Sequence, residues 1–421
     1  MNNSVPPGYK QTEVGVIPED WEVKPLAGLA TIIHGYGFQS RYFKPLGVYR
    51  LTTPGHFYEA GGFREIDDKQ KFYYGPFPDG FLLSEGDLIV AMTEQADGLL
   101  GSAAFIPADG NYLHNQRLGR VKVLTSDVSS RFLYLVFNSK AYRSKVRETA
   151  AGTKVKHTSP TKLLEIQVAF PPTKAEQDSI AAALSDVDAL ISGLDRLIAK
   201  KRDIKQAALQ QLLTGKQRLP EFSGEWEVKR LGEITDIDPE NLGSDTRPDY
   251  SFQYISLEDV DCGTLRGHTE QIFCTAPSRA RRKIRRGDVL VSTVRPNLKS
   301  HLLISADVVD TVCSTGFSVV RCKTMLASPE YIFAHLFGGS IEHQIETLIT
   351  GSNYPAINSG DVKALQVPYP PLPEQTAIAT VLSDMDAEIT TLEARRYKSR
   401  AIKQGMMQEL LTGRIRLLSE P

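Results

Sequence analysis

At 421 residues the chain can hold two or three ordinary domains, and 41% hydrophobic with 24% charged residues marks it as globular rather than disordered or fibrous. Its formal net charge of −1, from 49 basic and 50 acidic residues, excludes a nonspecific nucleic-acid coat but allows basic residues gathered on one face. No apolar run approaches the roughly 18 residues of a membrane span, and the opening MNNSVPPGYK lacks a basic-then-apolar signal, so a cytoplasmic protein is expected.

In chain order, residues 1–172 read as a first domain. Gly47–Leu51, Asp87–Met92 and Arg120–Leu124 are short strand-like runs punctuated by Gly and Pro. A helix is expected over Ser130–Val146, giving a mixed α/β domain with a curved sheet. Lys154, Lys156 and His157 form a small basic loop beside Gly152.

Residues 173–215 read as one long helix, from Lys174 to Leu213. Apolar residues recur at Ile180, Leu184, Val187, Ile191, Leu194 and Ile198, then drift to Ile204, Ala208 and Leu212. Thr173 and Glu176 have capping-box spacing, in which the Thr oxygen and the Glu carboxylate each satisfy an orphan backbone donor. Gly215 sits where a left-handed C-terminal cap is wanted.

A second domain is expected over 216–371, with a strand at Phe317–Arg321 and a helix at Pro329–Leu348. Arg279, Arg281, Arg282, Lys283, Arg285, Arg286, Arg295 and Lys299 crowd one stretch against a single acid, Asp288. Such a run suits phosphates and base edges, or else a solvated charged face. Residues 372–413 give a second long helix from Glu374 to Leu411, with Pro373 at its first position and Gly413 at its stop, and 414–421 are a tail. Each helix has about 40 residues and is ~60 Å long at the helical rise. A narrow apolar stripe of that length needs a partner, and the simplest is the other helix in an antiparallel coiled coil.

The two halves repeat. Trp21-Glu22-Val23-Lys24 recurs as Trp226-Glu227-Val228-Lys229, and Gly86-Asp87-Leu88-Ile89-Val90 as Gly287-Asp288-Val289-Leu290-Val291. Leu184-Ser185-Asp186-Val187-Asp188 recurs as Leu382-Ser383-Asp384-Met385-Asp386, and Leu212-Leu213-Thr214-Gly215 as Leu410-Leu411-Thr412-Gly413. The helical parts agree closely and the domains diverge, so a shared frame carries two related but different tasks. Antiparallel pairing of like halves makes a pseudo-two-fold axis, with a domain at each end facing the same side. Duplex DNA has matching two-fold axes, and such a protein can read two half-sites.

Catalytic and metal signatures are missing. No G-x-G-x-x-G, P-loop, H-E-x-x-H or Asn/Asp-Pro-Pro-Tyr occurs. Pro248-Asp249 with Glu258-Asp259 lacks a nuclease lysine, and Asp361-Val362-Lys363 lies far along the chain. Cys262, Cys274, Cys313 and Cys322 form no close pair, so reduced, inert thiols are expected rather than zinc.

Tyr9–Pro18 leading into Trp21, the twice-used Pro-Pro…Glu-Gln…Leu-Ser-Asp helix openings and the two Leu-Leu-Thr-Gly helix ends carry a resemblance. The joins Gly215-Lys216-Gln217-Arg218-Leu219 and Gly413-Arg414-Ile415-Arg416-Leu417 extend it across nearly the whole chain. In these features the chain resembles the specificity subunit of type I restriction-modification enzymes. The resemblance implies an α+β fold: two tandem mixed α/β target-recognition domains separated by two long antiparallel coiled-coil helices, with a pseudo-two-fold internal repeat. It implies a non-catalytic subunit that reads a bipartite double-stranded DNA target, one half-site per domain, with the helices as a ruler. It also implies two modification subunits supplying S-adenosylmethionine and adenine methylation, and two restriction subunits supplying ATP- and Mg-dependent translocation and cleavage, with no cofactor held by this chain and no membrane involved.

By chemistry and loop position, Lys154, Lys156, His157, Arg279, Arg281, Arg282, Arg295, Asn297, Asn353 and Tyr354 are the candidate DNA contacts, followed by Thr93, Gln95 and Arg117. Competing readings are a methyltransferase or nuclease with an unrecognised site, and a protein scaffold that never meets DNA.

Overall fold

The computed structural model describes residues 5–66, 69–94, 98–107, 110–152, 155–349 and 355–417. The chain forms two units, residues 1–193 with 396–421, and residues 194–395. The division falls inside both long helices, Lys174–Leu212 and Leu372–Leu410. Each unit therefore contains one mixed domain, the start of one long helix and the end of the other.

The two domains share a topology. In the first unit the strands Ala30–His34, Leu118–Val123, Leu88–Ala91 and Ala103–Phe105 lie side by side in that order, all antiparallel. In the second unit Thr235–Ile237, Phe317–Cys322, Asp288–Ser292 and Leu302–Leu303 repeat the order and the sense. A second four-stranded sheet with one parallel pair accompanies each: Tyr49–Leu51 beside Tyr112–Leu113, and Ser251–Ile255 beside Thr311–Ser314. Among the described residues each domain thus has two four-stranded sheets where one curved sheet was expected.

Each helix expected after the sheet is broken in two. Ser130–Asn138 and Lys140–Glu148 are separated by Ser139, whose extended backbone (φ −71°, ψ 145°) lets its hydroxyl accept the Tyr142 N–H and start a new helix. In the second unit Pro329–His335 and Gly339–Leu348 are separated by residues 336–338, where Gly338 is extended (φ −86°, ψ 143°) and offers no side-chain cap. Local hydrogen bonding by a Ser side chain competes with helix continuation at such a point.

Within each unit the two long helices run antiparallel. In the first, Ile180, Ala181 and Leu184 pack in one core with Leu410, Met406 and Met407, and Lys403 pairs with Asp188 at 2.7 Å. In the second, Leu209 and Leu212 share a core with Ile378 and Leu382, and Lys205 pairs with Asp386 and Lys201 with Glu388. The stripe departs from expectation at Ile204, which is 42% exposed, and its counterpart in the second helix, Ile402, is 49% exposed. A helix turning 3.6 residues per turn rotates a seven-residue repeat off the contact line, and Lys205 and Lys403 beside them reach across as ion pairs instead.

The starts of the long helices are fixed by a repeated Glu-Gln pair. Glu176 is 2% exposed and Glu374 fully buried. Thr173 Oγ1 accepts the Glu176 N–H, but the Glu176 carboxylate does not complete the expected capping box. It is gripped by the fork of Arg416, which also holds Asp20 at 2.9 and 3.0 Å. Arg218 donates to both oxygens of Glu374 at 2.6 and 2.7 Å, with Trp226 Nε1 adding a third bond at 3.0 Å. A buried carboxylate needs a matched cation, and the planar fork meets that demand better than a helix N-terminus. The next residues tie the helix to the domain: Ser129 N–H donates to Gln177 and Ser328 N–H to Gln375, at 2.9 and 3.1 Å. Pro373 sits one place further into its helix than expected, because the helix begins at Leu372. Gly215 and Gly413 take the left-handed conformation (φ 68° each) and stop the helices as expected.

Two predictions follow from these contacts. Arg416→Ala leaves Glu176 buried without its cation and is expected to cost about 2–3 kcal/mol, with Arg416→Lys intermediate because it loses the fork; denaturant midpoints measure both. The second concerns buried histidines. Burial depresses His114 and His301 to about 4 and His335 to about 3, from an unfolded value of 6.5. The unfolded chain then binds protons that the folded chain refuses, so stability falls as pH drops from 6.5 toward 4, by ~1.4 kcal/mol per pH unit for each imidazole. His335 Nε2 is buried with no hydrogen-bond partner. His335→Leu is expected to hold or raise stability at pH 7 and to flatten the fall below 6.5; an unchanged slope in melts across this range would contradict the assignment.

Candidate nucleic-acid interface

In each unit three loops meet beyond the ends of the same strands. In the first, Met92 follows the strand Leu88–Ala91; its N–H donates to Arg117 O (3.0 Å) and its carbonyl accepts the Thr158 N–H (2.9 Å). Thr93 bridges His157 in an antiparallel pair, and Glu94 N–H donates to Lys156 O at 2.9 Å. The second unit repeats each bond. Thr293 N–H donates to Gly316 O (2.8 Å) and Thr293 O accepts the Ile357 N–H (2.9 Å), Val294 bridges Ala356, and Arg295 N–H donates to Pro355 O (2.8 Å). One backbone frame therefore carries two sets of side chains: Arg117, Lys156 and His157 where the other unit has Gly316, Pro355 and Ala356.

The sequence candidates sort as follows. Thr93, Arg117, Lys156 and His157 come together on this frame, the last three exposed. Arg295 and Asn297 lie on the matching loop of the second unit, both exposed. Exposed Arg279 joins them, because its carbonyl accepts the Thr315 N–H beside Gly316. Lys154, Gln95, Asn353 and Tyr354 lie outside the described residues.

Two arginines of the basic run serve the fold. Arg282 forms an ion pair with Asp238, both side chains mostly buried, and donates to Ser359 Oγ. Arg281 is half-buried, stacked over Phe273 with its guanidinium 4.8 Å from the ring centre. An arginine already satisfied inside the protein has less to offer a ligand than one at the rim, so Arg282 ranks below Arg279 and Arg295 as a candidate DNA contact. The nuclease-like carboxylates are also engaged: Asp249 with Arg247, Asp259 with Ser256, and Asp361 with the Asn358 backbone at a helix start. Among the described residues no group of three or more His, Cys, Asp or Glu could hold a metal ion.

Sequence reasoning missed three participants. Glu94 occupies the frame position of Arg295 and accepts the Gly98 N–H at 3.0 Å. Gln116 is exposed beside Arg117, and Thr315 lies against Arg279. Extending the Gly86–Val90 and Gly287–Val291 match without a gap already sets Glu94 opposite Arg295; only the paired loops show that Gln116 and Thr315 belong beside them.

The family profile described as the type I restriction modification DNA specificity domain matches residues 18–201 and again 223–399. The chain belongs to this family. It is 22% identical over 424 residues to the type I restriction enzyme MjaVIII specificity subunit of Methanocaldococcus jannaschii, covering 95% of this chain and 94% of the relative. It is 22% identical to the EcoKI specificity subunit of Escherichia coli K12, covering 94% of this chain and 89% of the relative. Its fold is similar to the crystal structure of a type I restriction-modification S subunit from M. genitalium, with TM-score 0.58 at 16% identity over 93% of this chain and 96% of that one. Among the described residues no helix is long and apolar enough to cross a membrane.

Gly152 offers a direct check of the first rim. It holds φ at 100°, and an added Cβ would lie 2.2 Å from Val155 O. Gly152→Ala is expected to open the Ala151–His157 pair, read as faster amide exchange at His157, while the global unfolding midpoint moves by about 1 kcal/mol or less.

Proposed function

We propose that this chain is the specificity subunit of a type I restriction-modification enzyme and reads a bipartite duplex target, one half-site per unit. The observation that carries the reading is the repeated three-loop frame, alike in backbone bonding and unlike in exposed side chains. Arg117, Lys156 and His157 with Thr93 face one half-site; Arg279, Arg295 and Asn297 face the other. Arg and Asn at the rim can pair with guanine and adenine edges, and Lys with phosphate. The long helices set the gap between half-sites and offer the docking surface for two modification subunits. S-adenosylmethionine belongs to those subunits, ATP and Mg to two restriction subunits, and the complex works in the cytoplasm.

The test uses the complex assembled with its modification subunits and the methylated motif mapped by modified-base sequencing. Arg117→Ala with Lys156→Ala is expected to weaken binding and relax one half of the motif; Arg295→Ala with Asn297→Ala should do so at the other half, each lost base contact worth about 1–3 kcal/mol. Binding should also fall steeply with salt as phosphate contacts release counterions. Methylation or cutting by the isolated chain would favour a hidden enzyme. A complex that ignores DNA would leave a scaffold.

A further inference from the structure

We infer that the second short helix of each unit latches the recognition loop, through the buried Arg143 in the first unit and through Glu342 acting on Lys299 at the half-exposed surface in the second, and that these are positioning residues for half-site discrimination. The inference rests on the function proposed above.

Arg143 lies four residues after the cap Ser139, and Glu342 four residues after the cap Gly338. The two positions differ by 199 residues, the offset that also relates the helix caps Ser129 and Ser328. They are therefore the same place in the fold, filled by opposite charges. Both reach the loop that leaves the same strand and carries the rim.

In the first unit that loop leaves at Met92 and returns through Gly98 and Leu100. Arg143 is 8% exposed. Its Nε donates to Leu100 O (2.8 Å), its Nη1 to Glu59 O (3.0 Å) and its Nη2 to Gly98 O. Gly98 is thus gripped on both sides, since its N–H donates to the Glu94 carboxylate next to Thr93. Burying a guanidinium among neutral carbonyls costs more than burying Leu or Met. What it adds is geometry: a rigid fork fixes two loops at once. Burial draws Arg143 down to about 10, so it stays charged near neutrality.

In the second unit the turn Pro296–Leu298 is flanked by Arg295 and Lys299, both left-handed (φ 48° and 54°). Non-glycine residues adopt that conformation only when something holds them there. Lys299 Nζ pairs with Glu342 at 2.9 Å, and the base of the loop is fixed where the buried His301 Nδ1 accepts the Ser292 N–H at 3.1 Å. The ion pair holds the end of the turn that presents Arg295 and Asn297. Because one latch is an arginine on carbonyls and the other a carboxylate on a lysine, each loop is held by chemistry of its own, and the two half-sites can be tuned separately.

The experiment uses the full complex and measures binding to the cognate target and to targets with single base changes in either half. Arg143→Met is expected to lower discrimination about tenfold at one half-site and leave the other unchanged. Lys299→Glu and Glu342→Lys should each do this at the opposite half-site, and the double charge reversal should restore most of it, a rescue that lost packing would not give. Arg143→Lys, which keeps the charge without the fork, should fall between, and serves if Arg143→Met does not fold. Retained discrimination, or loss at both halves together in step with the melting midpoint, would overturn the latch. If Arg117→Ala and Arg295→Ala also leave recognition intact, the rim itself is misassigned; if they alter it and the latch variants do not, only the latch falls.

Discussion

The structure depends on a carboxylate taken out of water at the start of each long helix. Glu176 and Glu374 can be buried only because a guanidinium meets them, and each guanidinium comes from a remote segment: Arg416 lies 240 residues from Glu176, and Arg218 lies 156 from Glu374. Satisfying these two charges requires the chain leaving one long helix to return to the beginning of the other. That return makes the helices antiparallel within each unit. It also seats Trp21 under Arg416 and Trp226 under Arg218. The neighbouring glutamines then lock the helix start to the domain, so the sheets, and the loops at their ends, are positioned from the clamp outward.

On that frame, constancy lies in the main chain and variation in the side chains. Main-chain hydrogen bonds among the three loops are the same in both units, because backbone groups at a partly buried junction must be paired. The side chains at those positions differ: Arg117, Lys156 and His157 are exposed, whereas Gly316 is buried and Pro355 and Ala356 are half-buried. Arg117 can become Gly316 and Glu94 can become Arg295 without altering the frame. A protein built this way can change what it reads on one side without disturbing how it folds.

The basic run of the second unit shows why charge alone is a poor guide to a binding face. Arg282 and nearby Arg321 are held by Asp238 and by Asp288 with Glu240. Arg281 lies on Phe273, and Arg286 leans toward Asp307. Arg279 and Arg295 stand at the rim because their backbones belong to the loop junction, a property of strand pairing and not of composition.

The sequence by itself determined the repeat, the two long helices with their glycine stops, the strands Leu88–Ala91, Leu118–Val123 and Phe317–Cys322 of the main sheets, and the family resemblance, since all of these are written in periodicity or in matched local motifs. It also placed Arg117, Lys156, His157, Arg279 and Arg295 in loops. Only the tertiary structure decided that Glu176 serves Arg416 instead of its own helix end, that Ser139 breaks one helix into two, and that Arg282 faces inward while Arg279 does not. Those outcomes turn on which groups, far apart in the chain, compete for the same buried charge or hydrogen bond. Local sequence carries no record of that competition, which is decided by the cost of leaving a buried charge or donor unpaired.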